Sequence, residues 1–581
     1  MRFSAMSSAP TTIVVVGGGL AALILVQQLR EQLMENVRPI QILVIDPAPS
    51  AQFGRGRAYA EPWQPEQTQR LGSCAELLNS SASRMSMVEL MGIWGDFVSW
   101  LRCHKPIWSQ RLGLVFHDGK LQPAKVKNCQ LWEQRAIAQW LNFNRHALDA
   151  EHYETVYFPR CVYGDFLAEL AVNVLRSSAN GNLHVRYVQA EAQRLHTGGD
   201  TTDGHTLSLA KVDGNACTLH CDYLVYAGGD LPPQVLGESL EPHPMLLQNL
   251  YDQPRHRFHQ NLVKALSDGR SQPLQLVVAG GNACALDCLW GLANNPVLLA
   301  AMQCGKLQIK QLAATNILHS GAVLQPLPEG ETPDELRWAS PAQQQLLQQL
   351  REEFLDPEQN LTAESYYLAV CTALEQLEAH ASPHLFMLFL RQLGEVEQQI
   401  RDSLPDIVCF AIDYHVRLEG KLLFTPYEYW QSVRQLREMP QALVHLSDKV
   451  TELRREQNRF VLQLSGGDVL YCDAVVNCTG ARNPFATHGT TLLDQWVASG
   501  LGVTNGTGGF YLANDGRLKL ADGTFSNSIY LVTQRSMGLH YRDTSATPRF
   551  ISANRLTAVR VAELARDIGA ALTVELQAHN K

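Results

Sequence analysis

The sequence predicts an α/β protein of two Rossmann-like units with an all-helical insertion, and three observations point there. A β-branched run at 13–16 (IVVV) ends on Gly17-Gly18-Gly19; LAALILVQQLREQL then has helical apolar spacing, and IQILVID, ending at Asp46, reads as a second strand. At 274–279 the run LQLVVA ends on Gly280-Gly281, followed by a helical pattern and by LQIKQLAA at 307–314, so the strand, turn, helix, strand order begins again. Residues 341–405 change character and give successive amphipathic helices without strands.

The remaining elements fit between these marks. Residues 53–78, rich in Gly, Arg, Pro and Gln, read as a long irregular connection, a kind of loop that is usually functional in a compact domain. Helical patterns follow at 86–101, 130–148 and 163–176, and alternating strands at 184–195, 206–211 and 217–227. After the helical stretch, strands are expected at 422–424, 459–464, 469–478 and 528–532, with a closing helix at 551–568. The expected organisation is a first unit over 1–240, a second over 241–335, the helical insertion over 336–410, a return to the second unit over 411–470, and the end of the first over 471–581.

Composition narrows the function classes. With 48 Lys and Arg against 57 Asp and Glu, the net charge of −9 argues against a nucleic-acid partner. The longest apolar run, Leu20 to Val26, falls far short of the roughly 20 residues of a spanning helix, so no membrane partner is expected. Met1 to Pro10 is polar, and the 13 cysteines show neither a CxxC pair nor finger spacing; a cytoplasmic location and no bound metal are the expectations. Gly-x-Ser-x-Gly, a P-loop and HExxH are all missing, which leaves hydrolase and kinase readings without a motif. Self-association is left open.

The first glycine turn carries the chemistry. Gly17-x-Gly19-x-x-Ala22 joins a strand to a helix: the first glycine allows the tight turn, the second lets amides approach a pyrophosphate, and Ala22 lets helix and strand pack closely. The helix beginning at Leu20 and Ala21 adds the positive end of its dipole. Asp46, at the end of the next strand, is placed to accept hydrogen bonds from a ribose diol, although it lies beyond the usual spacing of about 20 residues. This pattern indicates an adenine dinucleotide without choosing between FAD and NAD.

Further segments narrow that choice. FGRGRAYA at 53–60, LLNSSASRMSM at 77–87, FPRCVYGDFL at 158–167, LVYAGGDLPP at 224–233 and VVNCTGARNP at 475–484 resemble the bacterial FAD/NAD(P)-binding flavoprotein family, which is similar to the flavin-containing and N-hydroxylating monooxygenases. The resemblance runs in order through most of the chain outside the helical insertion. It implies a two-dinucleotide-binding-domain flavoprotein, an FAD domain with an inserted NAD(P)-type domain. Gly17, Gly19, Leu20, Ala21, Asp46, Gly54, Arg55, Arg57, Asn79, Arg84, Met85, Gly228, Thr479 and Gly480 would be its cofactor residues. On their own chemistry, Gly54 to Arg57 suit a diphosphate or an isoalloxazine edge, with a solvated loop as the alternative. Arg160 serves an anionic group of cofactor or substrate, or else a structural ion pair, and His540 and Tyr541 are either flavin- or substrate-facing or ordinary loop residues.

The second turn departs from the family pattern. Gly280-Gly281-Asn282, continuing to Asp287, has Asn where the family has its second glycine. Asn accepts a positive φ, yet its side chain takes space a phosphate needs. After the following strand stands Ala313-Ala314-Thr315, without the arginine that would meet the 2′-phosphate of NADP. NAD(P)H binding and a degenerate structural unit both remain open. The resemblance implies an NAD(P)H- and O2-using monooxygenase that hydroxylates nitrogen, or another soft atom, of a small amine or amino-acid-like substrate through a C4a-hydroperoxyflavin. The alternatives are a flavin dehydrogenase or oxidase without oxygen insertion, and a flavin-binding partner protein without catalysis.

Overall fold

The computed structural model describes residues 10–33, 39–59, 78–81, 94–117, 120–123, 131–153, 156–176, 182–197, 204–211, 213–228, 235–237, 240–250, 255–281, 283–313, 321–322, 345, 348–349, 352, 425–479, 492–504, 510–513, 515–532, 561 and 563–572. The helical insertion at 336–410 lies, but for four residues between 345 and 352, outside them.

In the first unit, β1 (Thr11–Val16), buried from Ile13 to Val16, lies parallel to β2 (Ile40–Asp46), and α1 (Leu20–Leu33) connects them, burying Ala22, Leu23, Leu25, Val26, Leu29 and Leu33. After β2 the chain runs through α2 (Gly56–Tyr59), β3 (Leu78–Ser81), α3 (Trp94–Cys103), α4 (Lys105–Arg111), the β4 (Leu114–His117) and β5 (Lys120–Pro123) hairpin, α5 (Leu131–Asp149) and β6 (Tyr157–Pro159). It then returns to the sheet through α6 (Arg160–Arg176). The long β7 (Leu183–Thr197) pairs parallel to β2 over Leu183–Gln189, then turns into an antiparallel ribbon with β8 (His205–Lys211) and β9 (Ala216–Cys221). β10 (Tyr223–Tyr226) comes back beside β1.

The second unit repeats this order. α7 (Arg255–Ser267) leads to β12 (Leu274–Ala279), α8 (Ala283–Asn294), α9 (Pro296–Gln303) and β13 (Leu307–Leu312). The Asn295 side chain caps α9 by accepting from the amides of Val297 and Leu298. Beyond β14 (Gly321–Ala322) and β15 (Thr425–Pro426), α10 (Tyr427–Arg437) returns to β16 (Leu443–Leu446), followed by the antiparallel β17 (Val450–Glu456), β18 (Arg459–Leu464) and β19 (Val469–Cys472) and then by β20 (Ala474–Asn477). With the short β11 (Leu246–Leu247), the parallel sheet runs β11-β20-β12-β13-β16. The chain ends in α11 (Leu492–Ala498), β21 (Arg517–Lys519) and β22 (Phe525–Leu531), which complete the large sheet β21-β22-β10-β1-β2-β7-β8-β9. The helical residues 563–572 pack Leu564, Ala565 and Ile568 into the first core.

Two expectations are corrected. Residues 469–478 form two strands, because Asp473 breaks the run and passes the chain from one sheet to another. The Asp473 amide donates to Gln275 O at 2.8 Å, its Oδ2 accepts from Gln275 N at 2.8 Å, and Arg270 pairs with Oδ1 at 2.6 Å. β20 therefore belongs to the second sheet, and that unit extends through Asn477 rather than ending at 470. Also, α10 stands where only strands were expected after the insertion; it buries Tyr429, Val433 and Leu436 at helical spacing.

Asp222 makes the same clamp in the first unit, donating from its amide to Thr12 O at 2.9 Å and accepting Thr12 N at 2.7 Å. The two differ in surroundings: Asp222 is exposed, whereas the Asp473 side chain is only 9% exposed. Asp473→Ala should cost ~1.5–3 kcal/mol, the range for hydrogen bonds to a charged group, and Asp222→Ala clearly less. Urea midpoints of the two variants measure the difference, and equal shifts would contradict the burial argument.

Candidate functional site

At the end of β1 the chain turns on Gly17, whose φ is +107°. Any Cβ there would overlap Ala227 O and the Gly228 backbone at the end of β10, so the turn admits only glycine. Gly17 N donates to Ile45 O at 2.8 Å, and the next amide, Gly18 N, donates to Asp46 Oδ2 at 2.6 Å. Asp46 Oδ1 accepts from Ala48 N at 2.8 Å, and Tyr187 Oη donates to Ala48 O at 2.9 Å. Burial first, and then the adjacent Asp46 carboxylate, push the Tyr187 hydroxyl well above its ordinary pKa, keeping it a donor. Asp46 thus fixes the turn it follows.

α1 leaves its entrance open. Gly19 precedes it with no side chain to cap it, its first turn holds no acid, and its opening main-chain bond is Leu23 N to Gly19 O at 3.1 Å. The amides of Leu20, Ala21 and Ala22 fall among those a helix cannot satisfy internally, and with the dipole they make this entrance a candidate anion site.

A second glycine segment closes on the first. Gly54 N donates to Gly18 O at 2.8 Å, and a Cβ on Gly56 would lie 3.2 Å from the Gly19 Cα. Between them, Arg55 turns to α6: its Nε donates to Gly164 O at 2.9 Å and its Nη2 to Asp165 Oδ1 at 3.0 Å, with Arg111 at 3.4 Å from Asp165 Oδ2. Arg55 therefore ties the glycine loop to α6, a role the sequence did not announce. Arg160 opens α6 close to Tyr59, whose hydroxyl burial raises while the Arg160 charge opposes the shift. Arg57 lies in α2 and Asn79 in β3, which meets β15 of the second unit; their side chains fall outside the description. Arg84, Met85, Asn282, Gly480, His540 and Tyr541 lie outside the described residues.

The second turn repeats the first in its main chain. Gly280 has φ +125°, and a Cβ would overlap Cys478 O at the end of β20. Gly280 N donates to Leu312 O and Cys478 N to Ala279 O, both at 2.7 Å, as Gly17 N does to Ile45 O and Ala227 N to Val16 O. The side chains differ. The strand registers place Ala313 beside Gly280 where Asp46 stands beside Gly17. In place of a carboxylate, Gln311 Nε2 reaches Gly280 O at 3.4 Å and accepts at Oε1 from Arg437 at 3.3 Å. Thr479, expected among the cofactor residues of the first unit, follows β20 at this second turn, its amide and hydroxyl both donating to Asn477 Oδ1 at 3.1 and 2.7 Å. Its counterpart at the first turn is Gly228.

A seam joins the units. Tyr429 of α10 stacks on Trp290 of α8 with centroids 3.9 Å apart and planes 9° from parallel, and both rings belong to the core of the first unit. Tyr429 Oη donates to the fully buried Asp287 at 3.3 Å, and Gln139 of α5 donates to Ser432 of α10 at 3.3 Å. Asp287, noted in the sequence as part of the second fingerprint, thus serves the seam.

Residues 14–230 match a family model described as FAD-NAD(P)-binding, so the first unit carries an FAD/NAD(P)-binding domain. Uncharacterized proteins of Mycobacterium tuberculosis and Mycobacterium bovis are 26% identical over 172 residues, 29% of this chain and 32% of theirs. The match thus spans about a third of the length of these curated relatives. Among solved structures, the chain is similar to an ornithine hydroxylase from Pseudomonas aeruginosa, with 13% identity, a TM-score of 0.46 and coverage of 97% of this chain and 100% of that one. It is also similar to a lysine monooxygenase from Nocardia farcinica, with 13% identity, a TM-score of 0.43 and coverage of 96% and 98%.

Because Gly17 abuts a main-chain carbonyl, Gly17→Ala should strain the turn by ~1–3 kcal/mol and weaken FAD binding roughly tenfold or more. Gly280→Ala, at the other turn, should leave FAD affinity unchanged. Fluorescence-quenching titrations of the two variants read the contrast.

Proposed function

We propose that the protein is an FAD-dependent oxidoreductase that uses NAD(P)H and O2 to hydroxylate a nitrogen, or another soft atom, of a small amine or amino-acid-like substrate. The observation that carries this reading is the repeated turn: one chain presents two close-packed glycine turns, each followed by a helix, but among the described residues only the first is backed by a carboxylate.

The first turn fits FAD. The amides at the start of α1 suit an anion, and among the described residues beyond its chain neighbours only the Gly56 Cα lies within 4 Å of where a Gly19 Cβ would be. Asp46 spends two acceptor positions on the Gly18 and Ala48 amides, and a carboxylate has about four, so it retains capacity for a ribose diol. Under this reading Gly17, Gly19, Leu20 and Ala21 hold the diphosphate, Asp46 orients the ribose, and Gly54 and Gly56 complete the cradle. When bound, FAD supplies the hydride and oxygen chemistry. The protein's work is then to bind, orient and exclude water. Asn79 lies on the strand that meets β15, which favours a substrate place where the two units face each other. Arg160, Arg84, Met85, His540 and Tyr541 enter the proposal through the family resemblance, as flavin- or substrate-facing residues, and Gly280 and Gly281 as the NAD(P)H turn.

A dehydrogenase or oxidase without oxygen insertion is the second reading, favoured by Ala313 in the place of the ribose-binding acid. The purified protein should be yellow, with the absorption of oxidised flavin. Incubated aerobically with NADPH or NADH and a panel of small amines, it should yield a product heavier by one oxygen atom. A product lighter by two hydrogens would establish the second reading, and a colourless protein that cannot be reconstituted with FAD would overturn both.

A further inference from the structure

The core of the first unit carries a continuous run of aromatic rings from α2 to Trp100. Tyr59, on the short helix whose Gly56 abuts the first turn, meets Tyr163 edge-on with ring centroids 4.9 Å apart. Tyr163 meets Phe97 at 5.0 Å, and Phe97 stacks on Trp100 at 6.3 Å. Phe166 offers a parallel step, 5.9 Å from Tyr163 and 6.0 Å from Trp100. Helical spacing brings this about, since α3 presents Phe97 and Trp100 on one face, His104 follows in the turn after it, and α6 answers with Tyr163, Phe166 and Glu169. Close packing explains rings at these distances, so the run alone assigns nothing.

The indole N–H of Trp100 is different. In the same core, Trp108 and Trp140 donate theirs to main-chain carbonyls, Leu101 O at 2.9 Å and Tyr157 O at 2.7 Å, which cannot take up a proton at ordinary pH. Trp100 donates to a carboxylate, Glu169 Oε2, at 2.8 Å. The Glu169 side chain is 49% exposed, and the same oxygen lies 3.6 Å from Nε2 of His104, whose ring stacks on the indole at 4.9 Å. An indole that has lost an electron becomes strongly acidic at this N–H. A hole reaching Trp100 is therefore fixed there by proton transfer to Glu169, with water beyond. Burial raises the hydroxyl pKa of both Tyr59 and Tyr163, which disfavours proton loss and makes them steps rather than resting places.

We propose that Tyr59, Tyr163 and Trp100 form a relay that conducts an oxidising equivalent from the cofactor groove to Trp100, beneath the half-exposed Glu169, Trp100 giving up one electron inward and its Nε1 proton to Glu169. The relay rests on the FAD reading. The one-electron oxidant is bound flavin excited by light, which gains the electron that the indole loses and passes it on to O2. A diffusible thiolate then returns an electron to the neutral indolyl radical, becoming a thiyl radical, and Glu169 returns the proton to Nε1. The relay's use is to drain the oxidising power of excited flavin away from the site.

Flash excitation of the FAD-loaded protein, followed by transient absorption, tests the relay. A long-lived neutral indolyl radical is expected, forming more slowly in deuterated solvent. Trp100→Phe should abolish it, and Glu169→Gln should leave a short-lived radical cation that recombines without a solvent isotope effect. Tyr163→Phe should delay its appearance. An undiminished radical in FAD-loaded Trp100→Phe, or none in the FAD-loaded wild type, overturns the relay alone. A protein that takes up no FAD overturns the functional proposal and the relay with it.

Discussion

Two carbonyl oxygens set the shape of both nucleotide units. Ala227 O and Cys478 O, each at the end of a strand returning beside the central one, press so closely on Gly17 and Gly280 that no side chain fits between. That approach fixes where each helix begins and therefore which amides face the groove. It also requires each returning strand to enter its sheet in one register, and the clamps of Asp222 on Thr12 and Asp473 on Gln275 enforce this from the opposite end of the strand. Each returning strand is thus held at both ends.

Against this shared frame, the differences between the units gain meaning. A carboxylate behind the first turn fixes an amide and retains room for a diol, while the second relies on a neutral amide steadied by an arginine. The two turns are therefore alike in backbone and unlike in the groups that steady them.

Much of the frame was legible in the sequence because buried parallel strands are continuous apolar runs and glycines mark the turns. Both βαβ units and most of the flanking helices and strands could be read from such patterns. What escaped reading depends on partners distant in the chain. Asp473 is visible as the one charged residue in the run at 469–478, but only its clamp on Gln275, distant in the chain, shows that it passes the chain from one sheet to another. α10 opens with three aromatic residues among its first four and lacks a plain helical signature until its buried face is seen. In the site, Asp46 and Arg55 were singled out by chemistry, but which groups they would meet was not written locally: Asp46 holds the amide of Gly18, and Arg55 holds α6. The proton acceptor of Trp100 comes from another helix, so no window of sequence contains the pair.

Both units also leave their parallel sheets at the same crossover, after β2 in the first and after β13 in the second, and each carries a long stretch there before the sheet resumes at β7 and at β16. That crossover opens on the carboxyl edge of a parallel sheet, where ligands gather in open α/β folds. In the first unit that stretch has become core, since Phe97, Trp108, Trp140 and Phe158 all lie within it, so chain added at this crossover is bound into the fold rather than hung outside it.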